Sequence, residues 1–362
     1  MKVAITHDWL VSYGGAEKVL EALLEVFPDA DVFTSVLDRS KLPRAFDKTK
    51  IIASFIQNLP FAKARYRSYL GLMPAAFKSF DLSGYDLIIS NSHACAKNIR
   101  VPKSARHLCY CLTPMRYIWD MYNEYMAFER PNILVRAAAP LAAAYLRHID
   151  VSSSKSVESF AAISEFIAKR IKKYYGRESE VIYPPVETEK FKISEDVGDH
   201  YLVVSRLVPQ KRTDIIISAF NELGRPLKIL GTGRDESRLR KMAKDNIEFL
   251  GFQSQEKISD LMSRCKALVF ASLEDFGIVP VEAMACGRPV IAYGAGGVLD
   301  TVISGKNGIL FGEQTPASVA SAVLKSEKTA FDPAFIKKSA EKFDKKVFKE
   351  KIRRFAACLR LD

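Results

Sequence analysis

SLEDFGIVPVEAMACGRPVIA, residues 272–292, begins where an apolar run over 267–271 ends, and it holds two glutamates, Glu274 and Glu282, separated by seven residues. Glu274 falls in the loop that closes that run. Glu282 lies in a helical pattern stopped by Gly287 and followed by a second apolar run over 289–292. The order is strand, turn, helix, strand. In a parallel α/β sheet such a loop lies at the carboxyl edge of its strand, where ligands bind, and the next helix turns its amino end toward them. The backbone N–H groups of Phe276, Gly277 and Ile278 are then expected to face an anion, with Glu274 and Glu282 accepting hydrogen bonds from hydroxyls. An anion beside hydroxyls describes a sugar nucleotide.

The same alternation extends outward. Apolar runs at 201–204, 227–230, 247–250, 267–270 and 290–292 alternate with helical patterns, which argues for a parallel, doubly wound sheet. The first half reads similarly: a strand at 2–6, a loop to Gly15, an amphipathic helix at 16–27, and strands at 31–37, 87–90 and 107–112. Helical patterns rich in alanine and aromatics fill 133–175, and a short strand at 181–183 before Pro184-Pro185 closes this half. The dinucleotide pattern G-x-G-x-x-G is absent from the first loop. The expected organisation is two domains, 1–183 and 184–344, followed by a charged helix beginning near Lys345.

Bulk properties agree with two cores. A chain of 362 residues exceeds the size at which one core stops growing, and 48% hydrophobic with 27% charged residues is ordinary for a globular protein. The cysteines Cys95, Cys109, Cys111, Cys265, Cys286 and Cys358 include no C-x-x-C pair and read as buried thiols in a reducing compartment. Cys109 and Cys111 share a strand face without other soft ligands nearby, so packing is a better reading than chelation. The longest apolar candidate, 137–146, is short and broken by Pro140, so no spanning helix is expected. The opening MKVAITHDW meets His7 and Asp8 too early for a signal peptide, and a cytoplasmic location is expected.

The net charge of +12 calls for an anionic partner. Nucleic acid is disfavoured because no zinc spacing, RNP pattern or helix-turn-helix accompanies the charge. An anionic membrane surface is the other candidate. Between Phe61 and Phe80, Lys63, Arg65, Arg67 and Lys78 interleave with Tyr66, Tyr69, Leu70, Met73 and Phe77, which suits either an interfacial helix or a surface helix packing its aromatics on its own domain. The basic cluster at 169–177 reads as the cationic end of a helix.

Further motifs surround the opening stretch: GGAEK at 14–18, SRLVPQKRTD at 205–214, GTG at 231–233 and FLGF at 249–252. With E-x7-E and the following GG, these resemble, in order, the retaining glycosyltransferases of family 4. The segments THDWLVSYGGAEK and CYCLTPMRYIWD are similar to stretches of bacterial O-antigen mannosyltransferases. The resemblance implies the α/β GT-B fold, two Rossmann-like parallel-sheet domains facing a central cleft, with the last helix returning to the first domain. It implies a nucleotide-sugar donor, GDP-mannose, a lipid-linked saccharide acceptor, and no metal. A UDP-sugar donor, a non-catalytic sugar-nucleotide binder, and a phosphorylase or epimerase of the same architecture stay open.

Residue roles follow from position and resemblance together. Arg206 and Lys211, just past a strand end, are the expected cations for a departing diphosphate, whereas Arg212 is expected to point elsewhere. Gly14 and Gly15 allow close approach of backbone to phosphate. The resemblance implies that Glu274 meets hydroxyls of the donor sugar and Glu282 those of the ribose, with Gly231 and Phe252 on the donor side. His93, after the strand at 87–90, is a candidate polar contact, although a single histidine is more often structural. Arg116 and Tyr117 are candidate acceptor-side or donor-side contacts, in a loop where relatives often carry histidine and this chain has Leu112. Asp29-Ala30-Asp31 imitates a metal-chelating D-x-D but sits between a helix end and a strand.

Overall fold

The computed structural model describes residues 1–123, 126 and 133–357. The chain forms two compact units, Met1–Pro185 with Phe348–Asp362, and Val186–Val347. Cys358 and the end of the helix expected after Lys345 lie outside the described residues.

In the first unit, β1 (Val3–His7), β2 (Asp31–Thr34), β3 (Ile51–Ala53), β4 (Leu87–Ser92), β5 (Arg106–Cys111), β6 (Ser159–Ala162) and β7 (Glu180–Val181) pair in the order β3-β2-β1-β4-β5-β6-β7. Every pairing is parallel. β1 and β4 are buried throughout, as expected of strands covered on both faces. Helix α1 (Gly15–Val26) buries Val19, Leu20, Ala22 and Leu23, and its first turn is closed by Glu17, whose carboxylate accepts the Gly14 N–H at 2.8 Å. β3 and β6 escape the sequence pattern because no turn or glycine motif marks their ends, and β6 sits between two helices with no alternation to mark it. The strand expected at 31–37 stops at Thr34, where Ser35 turns its N–H to the Asp8 carbonyl.

Residues 61–80 do not make one amphipathic helix. They break into α2 (Ala62–Arg65), a 3-10 turn (Tyr66–Tyr69) and α3 (Met73–Lys78), entered through Phe61 at φ 55. Met73 and Phe77 are buried in the unit's core, and Tyr66, Tyr69 and Leu70 pack against it. Most of the aromatic face is thus turned inward, leaving Phe61 and Leu72 outside beside exposed Lys63, Arg65 and Arg67. Beyond α4 (Ile133–Ser154), helix α5 (Glu165–Tyr175) starts under the Ser164 hydroxyl and stops at Gly176, φ 67. No helix among the described residues is long and apolar enough to cross a membrane.

The second unit repeats the plan. β8 (Tyr201–Val204), β9 (Leu227–Leu230), β10 (Ile247–Gly251), β11 (Leu268–Phe270), β12 (Val290–Tyr293) and β13 (Gly308–Phe311) pair in the order β10-β9-β8-β11-β12-β13. Helices α6 (Thr213–Leu223), α7 (Glu236–Met242), α8 (Gln255–Arg264), α9 (Ile278–Ala285), α10 (Pro316–Glu327) and α11 (Pro333–Ala340) accompany it. Its core joins Ile215, Ile216 and Phe220 of α6 to Val203, Ile229, Val269 and Ile291 of the sheet and Val319 and Val323 of α10. Helix α12 (Lys345–Ala357) ties Lys345 to Glu187 within the second unit, and packs Phe348 edge-on to Tyr110 and Lys349 on Glu25 within the first.

Candidate functional site

A parallel sheet delivers all its following loops to one edge, and where the strand order reverses, adjacent loops diverge and leave a crevice. In the second unit that reversal falls between β8 and β11. The loop after β8 carries Arg206 and Lys211, and the loop after β11 carries Glu274. Lys211 Nζ and Glu274 Oε1 form an ion pair, and the Ser272 hydroxyl donates to the same carboxylate oxygen at 3.0 Å. Both side chains are partly buried, 19% and 26% exposed. Arg206 stands exposed at the head of the loop. Arg212, in the left-handed region at φ 52, precedes α6 and pairs with Asp214 at 3.3 Å.

Glycine is required where these loops touch backbone to backbone. A Cβ on Gly231, φ 125, would stand 1.9 Å from the Ser205 carbonyl oxygen, so only glycine lets the β9 exit lie against the β8 exit. A Cβ on Gly296, φ 77, would stand 2.4 Å from the Glu274 carbonyl oxygen, which instead accepts the Gly297 N–H at 2.9 Å. Gly231 therefore shapes the edge through packing, and Gly296-Gly297 hold the backbone under Glu274. Helix α9 begins after Gly277, φ 95, with Phe276 buried edge-on to Phe343 at 5.5 Å. Glu282, one turn further, is 7% exposed between the buried Val281 and Ala283. Phe252, just past β10, is 84% exposed.

The first unit reverses its strand order between β1 and β4, so the residues after these strands occupy the corresponding edge. Asp8, completely buried, follows β1 and was not singled out by its sequence. Its carboxylate accepts the backbone N–H groups of His93 at 2.7 Å, Ala94 at 3.0 Å, Cys95 at 2.6 Å and Ala96 at 2.7 Å. A run of N–H groups that elsewhere would bind phosphate is thus already occupied by a carboxylate. Burial alone would raise the Asp8 pKa, but the His93 imidazole and these hydrogen bonds outweigh it and hold the carboxyl far below its ordinary range. What this edge has left for a ligand is the partly exposed His93 ring, which packs edge-to-face with Trp9, and the Gly14-Gly15 turn.

A second network positions that turn. Asn91 at the end of β4 donates to the Ala16 carbonyl at 3.0 Å and lies 3.1 Å from His7 Nδ1, while His7 Nε2 lies 3.7 Å from Glu17. On the far side of the His93 loop, buried Lys97 pairs with buried Asp150, which also accepts from the Trp119 indole at 2.8 Å and the Tyr175 hydroxyl at 2.9 Å. Arg170, expected as a helix-end cation, is instead buried and donates to the Pro114 carbonyl at 3.1 Å and to Asp120 at 2.5 Å. It fixes the segment that carries Arg116 and Tyr117. Cys109 and Cys111 are buried, in keeping with the packing reading. Asp31 of the D-x-D imitation accepts from Tyr85 and pairs with Lys50 at 3.2 Å at the start of β2, the edge opposite the site. Among the described residues no three His, Cys, Asp or Glu side chains cluster as metal ligands.

Comparison with known proteins converges on one family. The model of Glycosyltransferase Family 4 matches residues 13–190, and that of Glycosyl transferases group 1 matches residues 186–349. An uncharacterized glycosyltransferase of Methanocaldococcus jannaschii is 32% identical over 187 residues, 50% of this chain and 51% of the relative. A GDP-mannose-dependent alpha-(1-6)-phosphatidylinositol monomannoside mannosyltransferase of Mycolicibacterium smegmatis is 32% identical over 216 residues, 51% of this chain and 56% of the relative. The chain thus spans about half the length of the curated relatives it matches. The crystal structure of Anabaena HepE in complex with UDP and glucose is similar with a TM-score of 0.73, covering 99% of each chain at 19% identity, a likeness of fold. With two parallel α/β sheets of Rossmann order and two family models that together run from residue 13 to residue 349, the chain belongs to the glycosyltransferases of family 4, of GT-B fold.

Proposed function

We propose that this protein is a retaining, metal-independent glycosyltransferase that moves mannose from GDP-mannose to a lipid-linked saccharide of a bacterial surface polysaccharide. One observation carries the reading: a lysine and a glutamate from the two loops that flank the strand-order reversal meet as an ion pair beside the start of α9. Sugar transfer stretches the anomeric bond while negative charge grows on the leaving diphosphate, and groups that bind that charge best in the transition state speed the step. Lys211 and Arg206 supply the cations, and the N–H groups of Phe276, Gly277 and Ile278 supply dipoles of the same sign. Glu274 accepts from a hydroxyl of the donor sugar and Glu282 from the ribose, each a charged and therefore strong acceptor.

Gly231 and Phe252 lie on the donor side, Gly14-Gly15 and His93 give further polar contacts to the donor, and Arg116 and Tyr117 contact either the acceptor or the donor. The acceptor hydroxyl enters on the face from which the diphosphate leaves, and a phosphate oxygen takes its proton. The choice of GDP-mannose is supported by the GDP-mannose dependence of the Mycolicibacterium smegmatis relative. Work at the cytoplasmic face of the membrane is supported by the basic surface of Lys63, Arg65 and Arg67 beside exposed Phe61 and Leu72. A thermal-shift panel of GDP-mannose, UDP-sugars and the free nucleotides tests it, since a ligand at about 100 times its Kd adds about 2.7 kcal/mol to stability. GDP and GDP-mannose should raise the melting temperature most. A larger shift with UDP compounds would overturn the donor, and no shift with any nucleotide would overturn the reading itself.

A further inference from the structure

His93 is held by more than its backbone. Its Nδ1, buried, lies 3.0 Å from Asp8 Oδ2, the oxygen that also accepts the His93 and Ala94 N–H groups. The approach is at ion-pair distance but off the line of a well-aligned hydrogen bond, so charge attraction more than hydrogen-bond geometry fixes the ring. An ionised carboxylate only accepts, so a nitrogen pressed against it must carry hydrogen. That assigns Nδ1–H and leaves Nε2 on the edge of a ring that is 23% exposed.

The groups around the ring set its charge. Burial disfavours the imidazolium, Asp8 favours it most strongly, Glu17 at the start of α1 adds to this, and Arg67 from the turn after α2 opposes it. The balance raises the His93 pKa above its ordinary value. His7, on β1, acts on the Asp8 and Glu17 carboxylates. We propose that Asp8 is the positioning residue for His93, holding Nδ1–H on its carboxylate so that, in the imidazolium, Nε2–H is the donor this edge offers to a phosphate-bearing ligand. Because Asp8 saturates the N–H groups of residues 93–96, the side chain of His93 replaces them as the loop's contact to an anion. The ligand class rests on the nucleotide-sugar reading; the Asp8–His93 geometry does not.

Nitrogen-15 spectra of the full chain labelled at histidine test it, with His93→Gln identifying the signal. The neutral ring should carry its proton on Nδ1 and titrate above the ordinary value of about 6.5. An Nε2–H tautomer, or titration at or below that value, overturns the proposal, and this needs only the unsubstituted protein. Asp8→Asn should lower the titration midpoint, and Glu17→Gln should lower it less. Equal drops in both variants would refute the special place of Asp8. Added GDP, or inorganic pyrophosphate as the bare anion, should move the Nε2 signal. If GDP raises the melting temperature and leaves His93 unmoved, the ligand role falls and the nucleotide reading stands. If the tautomer and titration are as expected and GDP binds nowhere, the nucleotide reading falls and the Asp8–His93 pair stands.

Discussion

Replacing Glu274 by Ala separates the two jobs assigned to the Lys211–Glu274 pair. The carboxylate holds Lys211 and also, in the proposed reaction, accepts from a hydroxyl of the sugar. Removing it releases the ammonium. Exposed pairs are worth about 0.2–1 kcal/mol, and with side chains 19% and 26% exposed this one belongs toward the upper end, so Lys211 should bind a diphosphate about 2- to 5-fold more tightly once freed. Against this, the lost hydrogen bond to a charged group costs about 1.5–3 kcal/mol in the transition state, which lowers kcat about 10- to 150-fold. Titration calorimetry with GDP and steady-state turnover of GDP-mannose should move in opposite directions. Parallel losses in both would mean that Glu274 serves ground-state binding or loop structure, and the division of labour would be wrong. Glu274→Gln, which keeps an acceptor without the charge, should release Lys211 to the same degree while retaining more turnover.

Gly231→Ala should destabilise the second unit by about 2 kcal/mol or more, because the new Cβ meets the Ser205 carbonyl at 1.9 Å on a backbone that favours glycine; calorimetry showing an unchanged melting temperature would refute the close-packing account. Burial presses the His107 imidazole down from 6.5 to about 4, with Ser90 Oγ 2.7 Å from its Nε2. The unfolded chain therefore binds the extra proton first, so stability is full above about pH 6.5 and falls by about 3 kcal/mol as pH drops toward 4. Denaturant titrations across that range should show the loss, and His107→Gln should flatten it; an equally steep fall in the variant would assign the effect elsewhere. Substituting Lys63 and Arg65 by Ser should remove about 1 kcal/mol per residue of binding to anionic vesicles and leave binding to neutral vesicles and GDP affinity unchanged. Sedimentation with vesicles checks it, and undiminished binding would return the segment to an ordinary packed surface.

Reading along the chain located the edge of the second sheet correctly because strand ends, helix starts and glycines are local. β8 to β12 fall within a residue or so of the runs that announced them, and Lys211 and Glu274 could be named from motif and position. The strands β3, β6 and β13 could not: they are no shorter than β8, β9, β11 and β12, but no strand-end motif follows them as SRLVPQKRTD, GTG, the Glu274 loop and GG follow those. The segment 61–80 misled in part because alternating cations and aromatics satisfy both an interfacial helix and a packed one. Only burial of Met73 and Phe77 distinguishes the two.

Sequence alone determined what is written in local pattern: two parallel α/β halves, the loops that carry Arg206, Lys211 and Glu274, and glycines wherever backbones must approach. Tertiary structure decided which of those groups meet and what occupies them. Nothing in the spacing of residue 8 and residues 93–96 says that a carboxylate satisfies four consecutive N–H groups, because partners more than eighty residues apart are brought together only by the pairing of β1 with β4. The same holds for Lys211 and Glu274, sixty-three residues apart and joined by the neighbouring of β8 and β11. A charge's partner, and so its availability to a ligand, is a property of the folded sheet.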